Sequence, residues 1–363
     1  MTSPIDSLDG LWGWDANFVG KELCGRDLKH YSGNKGVPQT LVCHDMMGGY
    51  LPEESVDGCE VVDGIKPYIL MHWWYVDIFT YFSHHFISIP PVGWISQAHD
   101  HGVLVLGTFI TEGDRGADRC KAIFKNATTV RKTVEKMVKL ATVYNFDGWL
   151  INIENKIEAE NLPMLELFLA TLTTRMHIRM GERSRVIWYD AVTVEGKLRW
   201  QDQLNDLNKL WFDVTDGIFL NYTWRPHELK ESQEIAGSRC HEVFVGVDCF
   251  GRGNYGWNCY KAFAHARAAN LSVAMFAPGW IAEQFQQSDL IPNSMNYEIK
   301  ILELGKIMHS SYITLNQIPE SLNKFFQFYN MLEAGTQPYY LESNAFPHAS
   351  RPALVLPDTG NYK

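Results

Sequence analysis

One stretch of this chain has residue types and spacing from which chemistry can be argued: 146–155, FDGWLINIEN. Read as a strand, its alternation sets Trp149, Ile151 and Ile153 on one face and Leu150, Asn152 and Glu154 on the other. Asn152 and Glu154 are then about 6.5–7 Å apart along the strand, at the end where a barrel carries its reactive groups. A carboxyl group placed there among aromatic residues has its pKa raised by desolvation, which suits a general acid. Strand-end polar groups with no chemical role would share this spacing, so the pair alone leaves both readings open. Glycoside cleavage ordinarily uses two carboxylates. Here the partner is an amide, which makes sense if the substrate supplies the nucleophile. The 2-acetamido carbonyl of an N-acetylglucosamine unit can attack its own C1, giving an oxazoline. An Asn oxygen accepting from the acetamide N–H would orient that group without bringing a full negative charge.

Such a pair needs a frame, and the chain supplies eight short apolar runs that can build one. They are 41–47 (LVCHDMM), 76–83 (VDIFTYFS), 103–111 (VLVLGTFIT), 148–154 (GWLINIE), 186–192 (VIWYDAV), 217–222 (GIFLNY), 242–248 (EVFVGVD) and 272–278 (SVAMFAP). Their length and β-branched or aromatic content are those of strands buried on both faces. Helical patterns lie between several of them. Val130, Val134, Met137, Val138 and Ala141 share one face, and Pro163 opens a helix with Leu165, Leu167, Phe168 and Leu172 on its apolar side. A third helix is expected over 260–269. Eight strands with intervening helices fit an α/β (β/α)8 TIM barrel with a short C-terminal extension, with a doubly wound sheet as the alternative. The expected division is an N-terminal segment over 1–37, the barrel over 38–290, and a helical or irregular extension over 291–363.

Composition narrows the partners. The 363 residues carry 32 basic and 42 acidic side chains, a net charge of −10, which excludes the basic surface that nucleic acid requires. No run approaches the roughly 18 apolar residues of a membrane span, and the first residues lack a secretory signal pattern. The 12 Trp, 16 Tyr and 19 Phe supply core, and equally the flat apolar faces on which sugars pack. Seven scattered cysteines without a C-x-x-C pair imply free thiols in a reducing compartment. The sequons at Asn126, Asn221 and Asn270 are taken as chance on that basis. GRGNYG (251–256) has dinucleotide-fingerprint spacing, but no acidic residue ends the next strand, so a loop around the pocket is the better reading. His84-His85 and His99-Asp100-His101 do not form a metal set, since the first pair points to opposite faces and the second ends a helix. No cofactor and no metal are expected.

Taken together, nine motifs resemble a known family. They are CHDMMGGY (43–50), DIFTYFSHH (77–85), IPPVGW (89–94), VLGTFITE (105–112), FDGWLINIEN (146–155), WYDAVTVEGKLRWQDQLN (188–205), NYTW (221–224), DCFGRG (248–253) and FAPGW (276–280). In this order they resemble the cytosolic endo-β-N-acetylglucosaminidases of glycoside hydrolase family 85, over about residues 38–283. The resemblance implies a TIM barrel that cleaves the chitobiose core of N-glycans, on glycoproteins or free oligosaccharides, with retention and substrate assistance. It matches Glu154 to the general acid/base and Asn152 to its acetamide-orienting partner. It matches Tyr189 to a tyrosine that hydrogen-bonds the acetamido group, Trp224 and Trp73 to walls of the sugar site, and Trp200 to an aromatic gate on the acceptor side. His44, Asp45, Asp190, Asn221 and Asp248, at strand ends, are further pocket candidates or supports behind it.

Two alternatives stand beside that reading: a glycan-binding barrel without catalysis, and a chitinase-like hydrolase of linear polymers. A binding-only barrel has no need of an acid. Chitinase-like barrels carry D-x-x-D-x-D-x-E on the fourth strand, whereas here Asn152 stands where the middle acid would fall. Family members commonly continue into β-sandwich domains, and 340–363 shows no such continuation. Where those domains cover an end of the barrel, their absence is expected to expose apolar surface.

Overall fold

A computed structural model describes residues 2–29, 31, 36–54, 68–70, 72–280 and 283. Nine strands run in chain order: β1 (Thr40–His44), β2 (Ile78–Tyr81), β3 (Ile87–Ser88), β4 (Leu104–Glu112), β5 (Gly148–Glu154), β6 (Arg185–Tyr189), β7 (Gly217–Phe219), β8 (Val243–Asp248) and β9 (Ser272–Phe276). The helices are α1 (Leu8–Gly13), α2 (Val92–Asp100), α3 (Gly113–Ile123), α4 (Ala127–Tyr144), α5 (Leu162–Met180), α6 (Lys209–Asp213), α7 (Pro226–Ala236) and α8 (Cys259–Ala268). Eight strands pair in parallel, in the order β1–β2–β4–β5–β6–β7–β8–β9, and β9 returns to β1. The sheet therefore closes. The structure is the expected barrel rather than the doubly wound alternative.

Each of the eight apolar runs overlaps one barrel strand. Five strands stop two or three residues short of the expected ends, at His44, Tyr81, Tyr189, Phe219 and Phe276, because the chain turns there into the loops of the mouth. The two-residue β3, antiparallel to β4, was not anticipated; it also receives Ile5 from the N-terminal segment as an isolated bridge. That segment is not detached from the barrel: Leu11 is fully buried, and Trp12 donates through Nε1 to Thr133 Oγ1 of α4 at 3.0 Å. The expected extension over 291–363 lies outside the described residues. Among the described residues no helix is long and apolar enough to cross a membrane.

The core has two layers, as barrel geometry requires. Leu41, Ile78, Leu104, Leu150, Ile187, Phe219 and Ala274 fill the interior. Trp149, Ile151 and Ile153 belong to the outer layer, packed with Phe168, Leu172 and Met137 of the surrounding helices. The alternation of β5 thus falls as its sequence implies, which places Leu150, Asn152 and Glu154 inside. Helix boundaries follow local chemistry. Asn126 caps α4, its Oδ1 accepting from Thr128 N and Thr129 N, so this sequon asparagine has a structural task. On α5 the buried stripe is Leu165, Phe168, Leu169, Leu172 and Met176, with Leu167 only half-buried.

Candidate active site

β5 carries two polar side chains to the barrel's mouth. Asn152 is buried and donates through Nδ2 to Glu154 Oε1 at 3.1 Å. With its N–H on Glu154, the amide has its oxygen left to accept from a ligand. Burial pushes the Glu154 carboxyl above its ordinary value; the Asn152 hydrogen bond opposes that, the Glu112 charge adds to it, and His84 and Arg252 draw it down. Glu112 ends β4 in direct register with Glu154. Neighbouring strands lie about 4.8 Å apart, so two carboxylates and one amide converge here. His84 Nδ1 lies 3.4 Å from Glu112 Oε2, and that contact raises the His84 pKa against its burial.

The opposite wall is built by β6 and β7. Tyr189 ends β6, is 6% exposed, and donates its hydroxyl to Asn221 Oδ1 at 2.9 Å. Asn221 Nδ2 donates to Asp202 Oδ1 at 2.9 Å. Asp190, directly after Tyr189, is buried beneath the loop that carries Trp200. It accepts Gln201 N at 3.0 Å, Asp202 N at 2.8 Å and Asn208 Nδ2 at 2.8 Å. Burial pushes its carboxyl up to about 8, against the pull of those three donors. Trp200 stands over the cleft with 40% of its surface exposed.

These walls enclose a cleft of about 380 Å³. Glu154, Asn152, Tyr189, Trp200, Asn221 and Asp45 all line it, so the structure gathers six of the residues singled out from sequence. Burial raises the Asp45 carboxyl, with His84, His44 and Arg252 drawing it down. Phe82, Phe219, Tyr222 and Phe276 supply apolar surface of the kind sugar rings pack against.

Five expected residues stand elsewhere, each for a visible reason. Trp224 is 1% exposed, its Nε1 donating to Gly246 O at 2.8 Å and its ring packed on Tyr255, so it braces the exit of β7 against β8 and is not among the residues lining the cleft. Trp73 is likewise core, enclosed by Phe79, Trp94 and His101. His44 is turned outward to Glu54 Oε1 at 3.1 Å, in a buried group with Tyr81 and Trp94. Asp190 supports the Trp200 loop. Asp248 holds Arg252, whose Nε lies 2.7 Å from its Oδ2, and it is Arg252 that faces the cleft.

Sequence reasoning passed over Glu112, His84, Arg252, Tyr222 and Asp202. Glu112 had a signal: alternation from Thr108 and Ile110 places it inward at a strand end. His84 enters the sequence reading only through the His84-His85 pair, not as a pocket residue. Among the described residues no group of three or more His, Cys, Asp or Glu side chains is arranged to hold a metal ion.

A closed parallel barrel with an acid–amide pair in an aromatic cleft at its C-terminal mouth is the form of a barrel glycoside hydrolase. The chain belongs to Glycosyl hydrolase family 85, whose profile matches residues 53–306. It is 47% identical over 252 residues to "Cytosolic endo-beta-N-acetylglucosaminidase 2" of Arabidopsis thaliana, covering 69% of this chain and 35% of that protein. It is 44% identical over 260 residues to the Homo sapiens "Cytosolic endo-beta-N-acetylglucosaminidase", covering 70% and 34%. The chain therefore spans about a third of the length of the curated relatives it matches. Among solved structures, the glycoside hydrolase domain of Endo-D from Streptococcus pneumoniae R6 superposes with a TM-score of 0.64 at 18% identity, over 82% of this chain and 50% of that one. At that identity the likeness speaks for the fold alone.

Proposed function

We propose that this barrel is an endo-β-N-acetylglucosaminidase that cuts between the two GlcNAc units of the N-glycan core, with retention, through an oxazoline intermediate. The observation that carries the reading is the Asn152–Glu154 pair: one raised carboxyl, hydrogen-bonded to an amide, on the inner face of β5 within the cleft. In the first step Glu154 protonates the departing O4 of the second GlcNAc. The acetamido carbonyl oxygen attacks C1, with the acetamide N–H held by Asn152 and the acetamido group contacted by Tyr189. In the second step Glu154, now ionised, takes a proton from water as the water oxygen adds to C1 and the ring, an oxazolinium that has kept its N–H, reopens to the acetamide. Two inversions give retention. A sugar hydroxyl in place of water would give transglycosylation, with Trp200 on that acceptor side. The amide at 152 can orient the substrate's own nucleophile without bringing a full negative charge. The partners are N-glycans on glycoproteins or as free oligosaccharides, and no cofactor takes part. The names of the relatives and the free thiols of Cys24, Cys43, Cys120 and Cys240 together support a cytosolic setting.

Mass spectrometry of a high-mannose glycopeptide after incubation tests this directly. A peptide retaining one GlcNAc on its Asn is expected. Intact substrate with measurable binding would instead establish a glycan-binding barrel.

A further inference from the structure

The wall opposite Glu154 is held by a chain of hydrogen bonds that begins at a residue outside the acid–amide pair. Asp202 has φ +59°, a left-handed conformation that Asp adopts more readily than most residues. Its backbone N–H is anchored on the buried Asp190. From there its carboxylate reaches the chain leaving β7. Oδ1 accepts Asn221 Nδ2 and Thr223 N, both at 2.9 Å, and Oδ2 accepts the Thr223 hydroxyl at 2.8 Å. A carboxylate can only accept, so it decides which end of the Asn221 amide faces it. The amide oxygen is thereby turned to Tyr189, whose single hydroxyl proton it takes at 2.9 Å.

We propose that Asp202 is a positioning residue for the wall opposite Glu154: through Asn221 its carboxylate fixes the hydroxyl orientation of Tyr189 on the donor-sugar side. The consequence for turnover rests on the functional reading given above; the relay itself does not. Asp202→Gly is the informative substitution, because glycine accepts φ +59° without strain while the carboxylate is lost. Asp202→Asn keeps an acceptor oxygen for Asn221 and Thr223 N and also tolerates the left-handed backbone.

The first readout needs no turnover. In protein labelled at tyrosine Cζ, the Tyr189 signal is assigned by its loss in Tyr189→Phe. Asp202→Gly moves that signal, and Asp202→Asn leaves it near its original position. Asn221→Ala, which leaves the loop anchored on Asp190, moves it as well and serves if Asp202→Gly does not fold. The second readout is glycopeptide hydrolysis. There kcat falls about 10–100-fold in Asp202→Gly with KM within about threefold, and Asp202→Asn recovers most of the rate. In a Tyr189→Phe background, adding Asp202→Gly lowers kcat by less than about twofold further, because the hydroxyl it orients is already gone. An unmoved Tyr189 signal in Asp202→Gly, or its full multiplicative loss of kcat in the Tyr189→Phe background, overturns the proposal. A wild-type protein that leaves the glycopeptide intact overturns the functional reading instead, and the tyrosine signal still decides the relay.

Discussion

The site works through side chains whose neighbours set their protonation and direction. In the proposed mechanism Glu154 must be protonated to release the leaving sugar, and burial with Glu112 beside it favours that form. Glu154→Gln keeps the shape and removes the proton, so hydrolysis should fall by about 10²–10⁴-fold while glycan binding is retained, as read from kcat and a binding isotherm. Glu112→Gln tests the electrostatics. Asp45, His84, Glu112 and Arg252 bear on this end of β5, and the influence of Glu112 on Glu154 exceeds that of His84. Loss of the like charge favours ionised Glu154, so the alkaline limb of kcat/KM should move to lower pH by a fraction of a unit. A limb that stays in place or moves up would show that Glu112 does not govern the acid. Residue by residue, the sequence was informative where period-2 alternation decides: it put Asn152 and Glu154 on one inner face. It was uninformative for Trp73 and Trp224, because an aromatic type does not reveal which side of a sheet its ring packs on. Asp202 was invisible because its partner Asn221 is 19 residues away and the link depends on a left-handed turn.

The strands place these groups, and two features of β5 show how firmly. Gly148 opens it where a Cβ would lie 1.8 Å from Arg185 O of β6, so even alanine cannot fit without parting the two strands. Gly148→Ala should therefore destabilise by at least about 1–3 kcal/mol, visible as a lowered Tm and loss of soluble protein. Just before it, at the barrel's far end, Asp147 Oδ2 accepts from Val105 N at 2.9 Å and lies 2.8 Å from His99 Nε2, both side chains being 1% exposed. Burial works against charge on His99, but the Asp147 hydrogen bond and charge outweigh it and its pKa is raised. A raised histidine pKa contributes stability that is complete below about pH 6.5 and fades as pH rises through the folded value. Asp147→Asn should cost about 3–5 kcal/mol at low pH. The Tm gap to wild type should narrow as pH rises through that value. A constant gap would remove His99 from the account. All eight barrel strands were legible because strands buried on both faces read as apolar runs. The two residues of β3 were not, being too short to carry a period.

On the scale of the whole chain, an acidic barrel with scattered cysteines fits a protein that relies on packing rather than crosslinks. Among the described cysteines Cys24, Cys43, Cys120 and Cys240 carry free thiols, the last three of them buried, and Cys59 lies outside the described residues. Titration under denaturing, non-reducing conditions should find seven thiols, the number in the sequence; five would mean a disulfide and would contradict the cytosolic setting. The chain spans about a third of the length of its curated relatives, and the described residues that line the cleft fall within 43–276. Architecture was readable at this scale because strand count and order specify a barrel, whereas the choice of lining residues depends on loop geometry that no periodicity records. The central claim is the division of labour between Asn152 and Glu154, and a preformed glycan oxazoline tests it most directly. In that proposal Asn152 acts while the oxazoline forms, whereas Glu154 also activates the incoming acceptor. Asn152→Ala should thus lose hydrolysis of intact glycopeptide yet still transfer the glycan from its oxazoline onto a GlcNAc acceptor, and Glu154→Gln should fail at both. An Asn152→Ala protein equally inert toward the oxazoline would contradict the account.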